Sequence, residues 1–464
     1  MNIFDNLRIK FETPVWGLIP ELAVIDHILE TRPDIITIVK KDILEGLQNN
    51  NFGRHDGLSV EQVVRAGIYK EIKNRTYDEL YFDQYDSIVC KDFLHLSNKA
   101  FSRAVLQKFI SKISSENLNK IMIEINKIAA ELNYEDFKDI RTDSTPVEAD
   151  IQRPTNNSLV YDCIKSATRF FEKMKDDYAS KFEEIEKKRK EAKKINYELN
   201  NVKGQKNKQQ SKKENRAENM RTLFVEYLDL HKTIHEELNL LINNHLDNLS
   251  QRDQVRVVEL EKNMTIIYNN AYRFQIDGIA VKNEDKIFSI YETHTDIIVK
   301  GIRDIVFGHK INLTSGRSNL ILYCKVEDGN PADSELFEEP ILEIEKNYDV
   351  LKFNSTATDG GYASLKNRDF AKEKFVNVIF TKSVGSLQNI FTDKTTETEL
   401  KKWRAGAEGV ISNLKRKFNL GRVLWKGKKR FDAKIFWSVL CYNIRVLTSH
   451  ILGTIKEQDK KAII

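Results

Sequence analysis

Three acidic residues stand in three unlike contexts: Asp143 within Arg141-Thr-Asp-Ser-Thr-Pro-Val-Glu148, Asp359 within Ala357-Thr-Asp-Gly-Gly-Tyr362, and Glu408 within Arg404-Ala-Gly-Ala-Glu-Gly409. Glu408 is the most telling of them. Between Lys401 and Arg430 there are eleven Lys or Arg and this single carboxylate, so a stretch suited to holding a polyanion keeps one group able to bind a cation beside it. Two or three carboxylates converging on Mg2+ is a way of handling phosphodiesters, because the hard ion takes oxygen ligands and retains water for the reaction. Asp143 and Asp359 lie 216 residues apart and Glu408 follows Asp359 by 49, so only a tertiary fold can unite them.

The elements that must do so are visible as periodicities. Residues 1 to about 140 read as helical, with Val63, Ile68 and Ile72 and then Leu106, Phe109 and Ile113 at helical spacing. Ser59 and Gln62 form a capping box at one helix start. A strand is expected from Asp143 to about Ile151, closed by Pro154-Thr-Asn-Asn157. Next, Phe171, Met174, Tyr178, Phe182 and Ile185 share one helical face, and Leu223, Tyr227, Leu230, Ile234, Leu238 and Leu241 share another. These predict a helical hairpin whose Lys-rich connector, 187–219, is either a solvated tip or a DNA contact. β-pattern returns at 306–313 and 319–326, a helix is expected over 333–345, and a β-rich segment, 350–354, leads to Asp359. A helix over 365–373, a short apolar run at 376–380 and the helix carrying Glu408 complete the series. On that last helix Arg404, Glu408, Ser412 and Lys415 mark a chemical face, and Ala407, Ile411, Leu414 and Phe418 a buried one.

A strand, a large insertion, two strands and then alternating helices and strands is the layout of a ribonuclease-H-like sheet. The expected fold class is α/β plus all-α: a ribonuclease-H-like mixed sheet with a large helical insertion after its first strand, preceded by a helical N-terminal domain. Its expected divisions are 1–138 for the helical front, 139–159 with 301–450 for the catalytic domain, 160–300 for the insertion and 451–464 for a tail.

Composition sets the class of partner. The 464 residues are 41% hydrophobic and 31% charged, with a formal net charge of +5. That charge is uneven, since residues 186–216 hold twelve Lys or Arg against four Glu. Local basic patches therefore argue for nucleic acid. Cys90, Cys163, Cys324 and Cys441 are widely spaced without a Cys-x-x-Cys pair, which points to buried apolar side chains rather than zinc ligands or disulfides. No uninterrupted apolar run approaches the roughly 18 to 20 residues of a membrane span and no secretory leader is evident at Met1, so a cytoplasmic protein is expected.

Four stretches together resemble the DDE transposases of bacterial insertion sequences, and most closely the ISNCY-like group. They are Arg141-Thr-Asp-Ser-Thr-Pro-Val-Glu148 with Pro154-Thr-Asn-Asn-Ser158; Val306-Phe-Gly-His-Lys-Ile-Asn-Leu313; Gly329-Asn-Pro-Ala-Asp-Ser334 with Thr358-Asp-Gly-Gly-Tyr362; and Arg404-Ala-Gly-Ala-Glu408 running on to Leu414-Lys-Arg-Lys-Phe418. The front, Leu58-Ser-Val-Glu-Gln-Val-Val-Arg65 through Tyr77-Asp-Glu-Leu80, is similar to the amino-terminal domain of such proteins. The resemblance implies that Asp143, Asp359 and Glu408 hold two Mg2+ ions, for which Mn2+ can substitute. Arg404 and Lys415 match the Arg and Lys of the pattern Tyr-x2-Arg-x3-Glu-x6-Lys, with Lys401 standing where the Tyr belongs and Trp403 offered as an alternative stacking surface. The implied activity is binding of terminal inverted repeats, strand cleavage and strand transfer on double-stranded DNA, by a homodimer with no membrane attachment.

Lys415, Arg416 and Lys417, together with Trp403 and Lys426, are the remaining candidate DNA contacts. Trp403 and Trp425 are equally readable as core. Asp359 alone reads as a turn former before Gly-Gly, Asp333 as a helix cap, Glu148 and Asp150 as acidic bystanders, and His309 as a hydrogen-bonded structural residue. Two rival functions remain at this level: a structure-specific nuclease of the same fold, and a DNA-binding protein without catalysis.

Overall fold

The computed structural model describes residues 19–46, 57–97, 100–175, 179–204, 210–300, 304–381 and 389–462. The expected helical character of 1–18 and the middle of the 187–219 connector, 205–209, therefore lie outside the described residues. The chain divides into two compact units, Met1–Asp150 with Ile298–Ile464, and Ile151–Ile297.

The first unit is built on a mixed sheet of β1 (Asp139–Ala149), β2 (Asp296–Lys300), β3 (Asp304–Ser315), β4 (Ile321–Val326), β5 (Ser355–Asp359), β6 (Asn377–Thr381) and β7 (Arg422–Val423). The order is β2-β3-β1-β5-β6, with β4 on β3 and β7 on β1. β1 runs antiparallel to β3 and parallel to β5 and β7, and β5 is parallel to β6. Only Asp139, Asp143 and Glu148 of β1 are not buried, as a central strand covered on both faces requires. This mixed sheet with its many helices is compatible with a ribonuclease-H-like α/β fold.

The strand leading to Asp359 is Ser355–Asp359, not the apolar segment before it. Helix Glu338–Tyr348 ends at Asp349 in the left-handed region (φ 54°), and Phe353 is then buried against Phe375 with ring centroids 4.8 Å apart while Leu351 is exposed. Residues 350–354 are thus a packed crossing, and the strand itself is the small, β-branched sequence that can be buried on both sides.

The front of the chain is not closed off at 138. Its helices pack on Lys428–Ala462, whose Trp437 is fully buried and donates from Nε1 to the Ile110 carbonyl at 3.3 Å. Gly67 makes room for that indole, since a Cβ there would lie 2.9 Å from Cζ3. The Ser59/Gln62 capping box forms as the sequence dictates, with both bonds at 3.1 Å. Asn443 and Asn126 join the same helix to the sheet. Asn443 Oδ1 accepts from Ile321 N at 2.9 Å and Asn126 Nδ2 donates to Ile321 O at 2.9 Å, which pairs the edge of β4. No separate tail begins at 451, because the helix runs on to Ala462. Among the described residues this is the one helix long and apolar enough to cross a membrane, and 72% of its apolar window is buried inside the protein, so its hydrophobicity serves the core. All four cysteines are buried and free, as expected.

The second unit holds four helices where a hairpin was expected: Asn156–Lys173, Ala179–Gly204, Gln210–His245 and Gln251–Gln275. The turn expected at 154–157 is the first helix start, with Thr155 as its cap. The Lys-rich connector is helical over 187–204 and 210–219. Ile185, Ala192 and Leu199 recur every seven residues and are buried, so a heptad seam runs on beneath the solvated lysines. Phe224, His231 and Leu238 supply a facing set at the same period, all fully buried.

Candidate active site

Asp143 and Asp359 stand side by side because their strands are neighbours in register, with Thr142 opposite Thr358 in the parallel β1–β5 pair. Each fixes its own orientation in the same way. Asp143 Oδ1 accepts from Ser144 N at 2.8 Å, and Asp359 Oδ1 accepts from Gly360 N at 2.8 Å. The second oxygen of each then reaches one guanidinium: Arg404 Nη2 lies 3.5 Å from Asp143 Oδ2 and 3.6 Å from Asp359 Oδ2. Arg404 Nη1 contacts Glu408 Oε1 at 3.1 Å, one helical turn along. Exposure rises from Asp143 (17%) through Asp359 (44%) to Glu408 (70%), so the cluster opens to solvent on the glutamate side. The three residues that the sequence singled out are thereby gathered around one cation.

The helix that brings Glu408 there, Lys394–Lys417, is held by local and long-range devices. Asp393 caps its start by accepting from Thr396 N at 2.9 Å, and Leu400, Ala407, Val410 and Leu414 bury its other face. Arg141 lies two residues before Asp143 and so on the same face of β1. Its buried guanidinium donates to Trp403 O at 2.5 Å, to Asn319 Oδ1 at 2.5 Å and to Ser315 Oγ at 3.1 Å. Burial pushes its pKa down to about 10, which leaves it charged at neutral pH. Gly406 gives it access, because a Cβ there would lie 3.0 Å from Arg141 Cζ and press on Nη1. After the helix the chain returns to β1 through β7, with Arg422 opposite Glu148. Arg141 was absent from the expected site, although its spacing of two from Asp143 was a usable signal.

Several expected roles change. Asp333 does not cap a helix: the caps on either side, Ala332 and Phe337, make no side-chain bond, and Asp333 is itself the first residue of a 3-10 turn. Its Oδ1 accepts from Ser144 Oγ at 2.9 Å and Lys310 Nζ at 3.2 Å. Trp403 is not an open stacking platform. It is half-buried, packs against Ala357, Ile379 and Leu400, and has the guanidinium carbons of Arg317 and Arg141 at 4.3 and 5.1 Å from its ring centroid. Trp425 stacks on Tyr77 at 6.2 Å. Lys401, in the place of the aromatic, is exposed and paired with Glu397 at 2.6 Å. Lys415 is half-buried, and Arg416, Lys417 and Lys426 are exposed. Asp150 pairs with Arg422 at 3.0 Å. His309 is buried, with Nδ1 3.3 Å from the Glu327 carbonyl and its ring edge-on to Phe431, which is the structural role expected of it.

The donor set suits hard divalent ions, since it consists of carboxylate oxygens already oriented toward a positive group. Two aspartates share one nitrogen of Arg404 and the glutamate takes the other, an array around a cation rather than a single tight cage. Among the described residues, the one trio of potential ligands with atoms within 4.8 Å of one another is Asp26, Glu30 and His95, which the sequence did not suggest. There the buried Arg65 ion-pairs with Asp26 and with Glu61, so the cluster is accounted for as a charge network.

No curated protein and no solved structure matches the chain. A family of transposase DDE domains matches residues 304–444, a span that contains Asp359, Arg404, Glu408 and Lys415 and begins after Asp143. The likeness to transposase DDE domains is thus carried by residues 304–444, under a third of the 464-residue chain.

Proposed function

We propose that the protein is the transposase of a bacterial insertion sequence, working in the cytoplasm on the DNA of its own element, with a ribonuclease-H-like catalytic core. It binds the terminal inverted repeats, cleaves there and joins the freed 3′ ends to target DNA. The observation that carries this reading is the convergence of Asp143, Asp359 and Glu408 on one guanidinium, with Asp359, Arg404 and Glu408 inside the span matched by the transposase DDE family. The three carboxylates would hold two Mg2+ ions, with Mn2+ as a substitute. Such ions activate the attacking hydroxyl and stabilise the leaving oxygen. Arg404 keeps the carboxylates gathered and stands ready as a charge partner for the phosphate. Lys415, Arg416, Lys417 and Lys426 track the DNA backbone on the exposed side, and joining two ends calls for a homodimer.

The test is cleavage and end binding measured on the same terminal-repeat DNA. Asp143→Asn, Asp359→Asn and Glu408→Gln should each abolish Mg2+-dependent nicking and leave end binding largely intact. Any one of them that cleaves like the wild type removes its residue from the site, and nicking without preference for terminal repeats favours a structure-specific nuclease.

A further inference from the structure

We propose that Asp333 is a positioning residue for the acidic cluster, bracing both of the backbone segments that aim the two aspartates; the inference rests on the metal-holding role given to Asp143 and Asp359. The two aspartates are not free to choose their orientation. Each has Oδ1 tied to the N–H of the next residue, Ser144 in one case and Gly360 in the other, so the direction of each Oδ2 depends on where that next residue sits.

Asp333 touches both places. Ser144 alternates to the opposite face of β1 from Asp143, where its Oγ donates to Asp333 Oδ1 at 2.9 Å. On the β5 side, Gly361 follows Gly360 directly, and a Cβ at Gly361 would lie 3.0 Å from Asp333 Oδ2. Gly361 does not have a positive φ, so the glycine serves close approach to this carboxylate rather than an unusual backbone.

The brace is itself held firmly. Lys310 Nζ donates to Asp333 Oδ1 at 3.2 Å and to Pro331 O at 2.6 Å, which compensates the carboxylate and fixes the turn before it. Asn367 Nδ2 spans the gap by donating to Ser334 O at 2.7 Å and to Tyr362 O at 2.8 Å. Asn312 Nδ2 donates to Leu336 O at 2.9 Å, and its Oδ1 accepts from Tyr362 at 3.1 Å. The Asp333–Leu336 turn and the Gly360–Tyr362 turn therefore move as one body, with Asp333 as the group that carries its position to β1.

The consequence is a metal affinity that depends on a residue which need not touch the metal. Mn2+ binding to the full chain without DNA, followed by calorimetry alongside thermal melting, reads it directly. Asp333→Ala should weaken Mn2+ binding by roughly 10- to 100-fold, the range for residues that orient ligands. Ser144→Ala, which keeps the backbone N–H but loses the hydroxyl, should weaken it in the same direction. The double variant should be no weaker than the weaker single one, because both cut the same link. Asp333→Asn keeps an acceptor for Ser144 and should bind Mn2+ more tightly than Asp333→Ala, which preserves a test if the alanine variant folds poorly. Wild-type Mn2+ affinity in both Asp333→Asn and Ser144→Ala, or additive losses in the double variant, overturns the proposal. Asp143→Asn serves as the reference: if it binds Mn2+ as the wild type does, the underlying metal-site reading fails instead.

Discussion

Gly406 and Gly409 lie three residues apart in one helix and should respond to alanine with opposite signs. At Gly409 an added Cβ meets nothing within 4 Å, so Gly409→Ala should stabilise by about 0.5–1 kcal/mol through helix propensity alone. At Gly406 the same gain is opposed by the Arg141 guanidinium, with Cζ 3.0 Å away and Nη1 closer. Long side chains usually yield, but this one makes three hydrogen bonds in a buried site, and its charge cannot be left without them. Losing one bond to a buried charge costs about 1.5–3 kcal/mol, so Gly406→Ala should destabilise by about 1–2 kcal/mol net of the propensity gain. Urea melts of the two variants give the comparison. Repeating them in Arg141→Ala should turn Gly406→Ala from destabilising to stabilising, since the obstacle is gone. Gly406→Ala at or above wild-type stability in the unmodified chain would refute the argument that this glycine exists to admit Arg141. Cleavage should fall with it, because Arg141 sets where Glu408 stands.

Three other expectations follow from features of the two units. Buried His231 has its pKa lowered to about 3 by desolvation and by neighbouring His235, while the unfolded chain titrates near 6.5. The unfolded state therefore binds the proton first, stability is complete above pH 6.5 and declines as pH falls toward 3, by about 2 kcal/mol at pH 5. Urea melts at pH 7 and 5 should show that loss vanish in His231→Leu, and an unchanged acid slope would show that the histidine is not its source. Neutralising Lys415, Arg416 and Lys417 together should weaken binding to DNA of any sequence and flatten the salt dependence by roughly 0.9 per lost phosphate contact; an unchanged slope places the backbone elsewhere. Glu71, buried between Lys434 (2.7 Å) and Lys70 (3.0 Å), should on conversion to Gln cost about 3–5 kcal/mol in a thermal or urea melt, because two buried ammonium groups lose their counter-charge. A loss under 1 kcal/mol would mean that the pair is hydrated.

What the sequence disclosed was local chemistry, and what it hid was set by long-range packing. Glu408 stood out as the single carboxylate in a basic stretch, whereas Asp359, a turn former when read alone, stood out only together with Asp143 and Glu408. The Arg404-to-Glu408 spacing of one helical turn survives intact as a contact. The strand before Asp359 was misplaced because Phe353 and Val350 are apolar for the sake of a loop, whereas Ser355-Thr-Ala-Thr358 is buried without being hydrophobic. The heptad Ile185–Ala192–Leu199 was obscured by lysines on the other faces of the same helix. Asp333 resembled a cap because it precedes a helix, and nothing local distinguishes a cap from a carboxylate whose partners, Ser144 and Lys310, are 189 and 23 residues away. Trp403 was read beside its sequence neighbours Lys402 and Arg404, whereas the cations that lie against its ring, Arg141 and Arg317, come from distant segments of the chain.

The placement of the helical unit between β1 and β3 has a consequence in time. From Ala149 to Ser315 the chain adds 166 residues before the longest ladder of the sheet can close. At roughly 5–20 residues per second of synthesis, that is roughly 10 to 30 s during which β1 has no antiparallel neighbour. The helices between can pair with one another during the wait, since their core draws on residues 159–290. The front helices must wait longer still for Lys428–Ala462, the helix on which they pack. Glu408 emerges in that same late stretch. A nascent chain therefore completes the helical unit, Ile151–Ile297, well before the acidic cluster, which is not assembled until the helices and sheet of the first unit have their final partner.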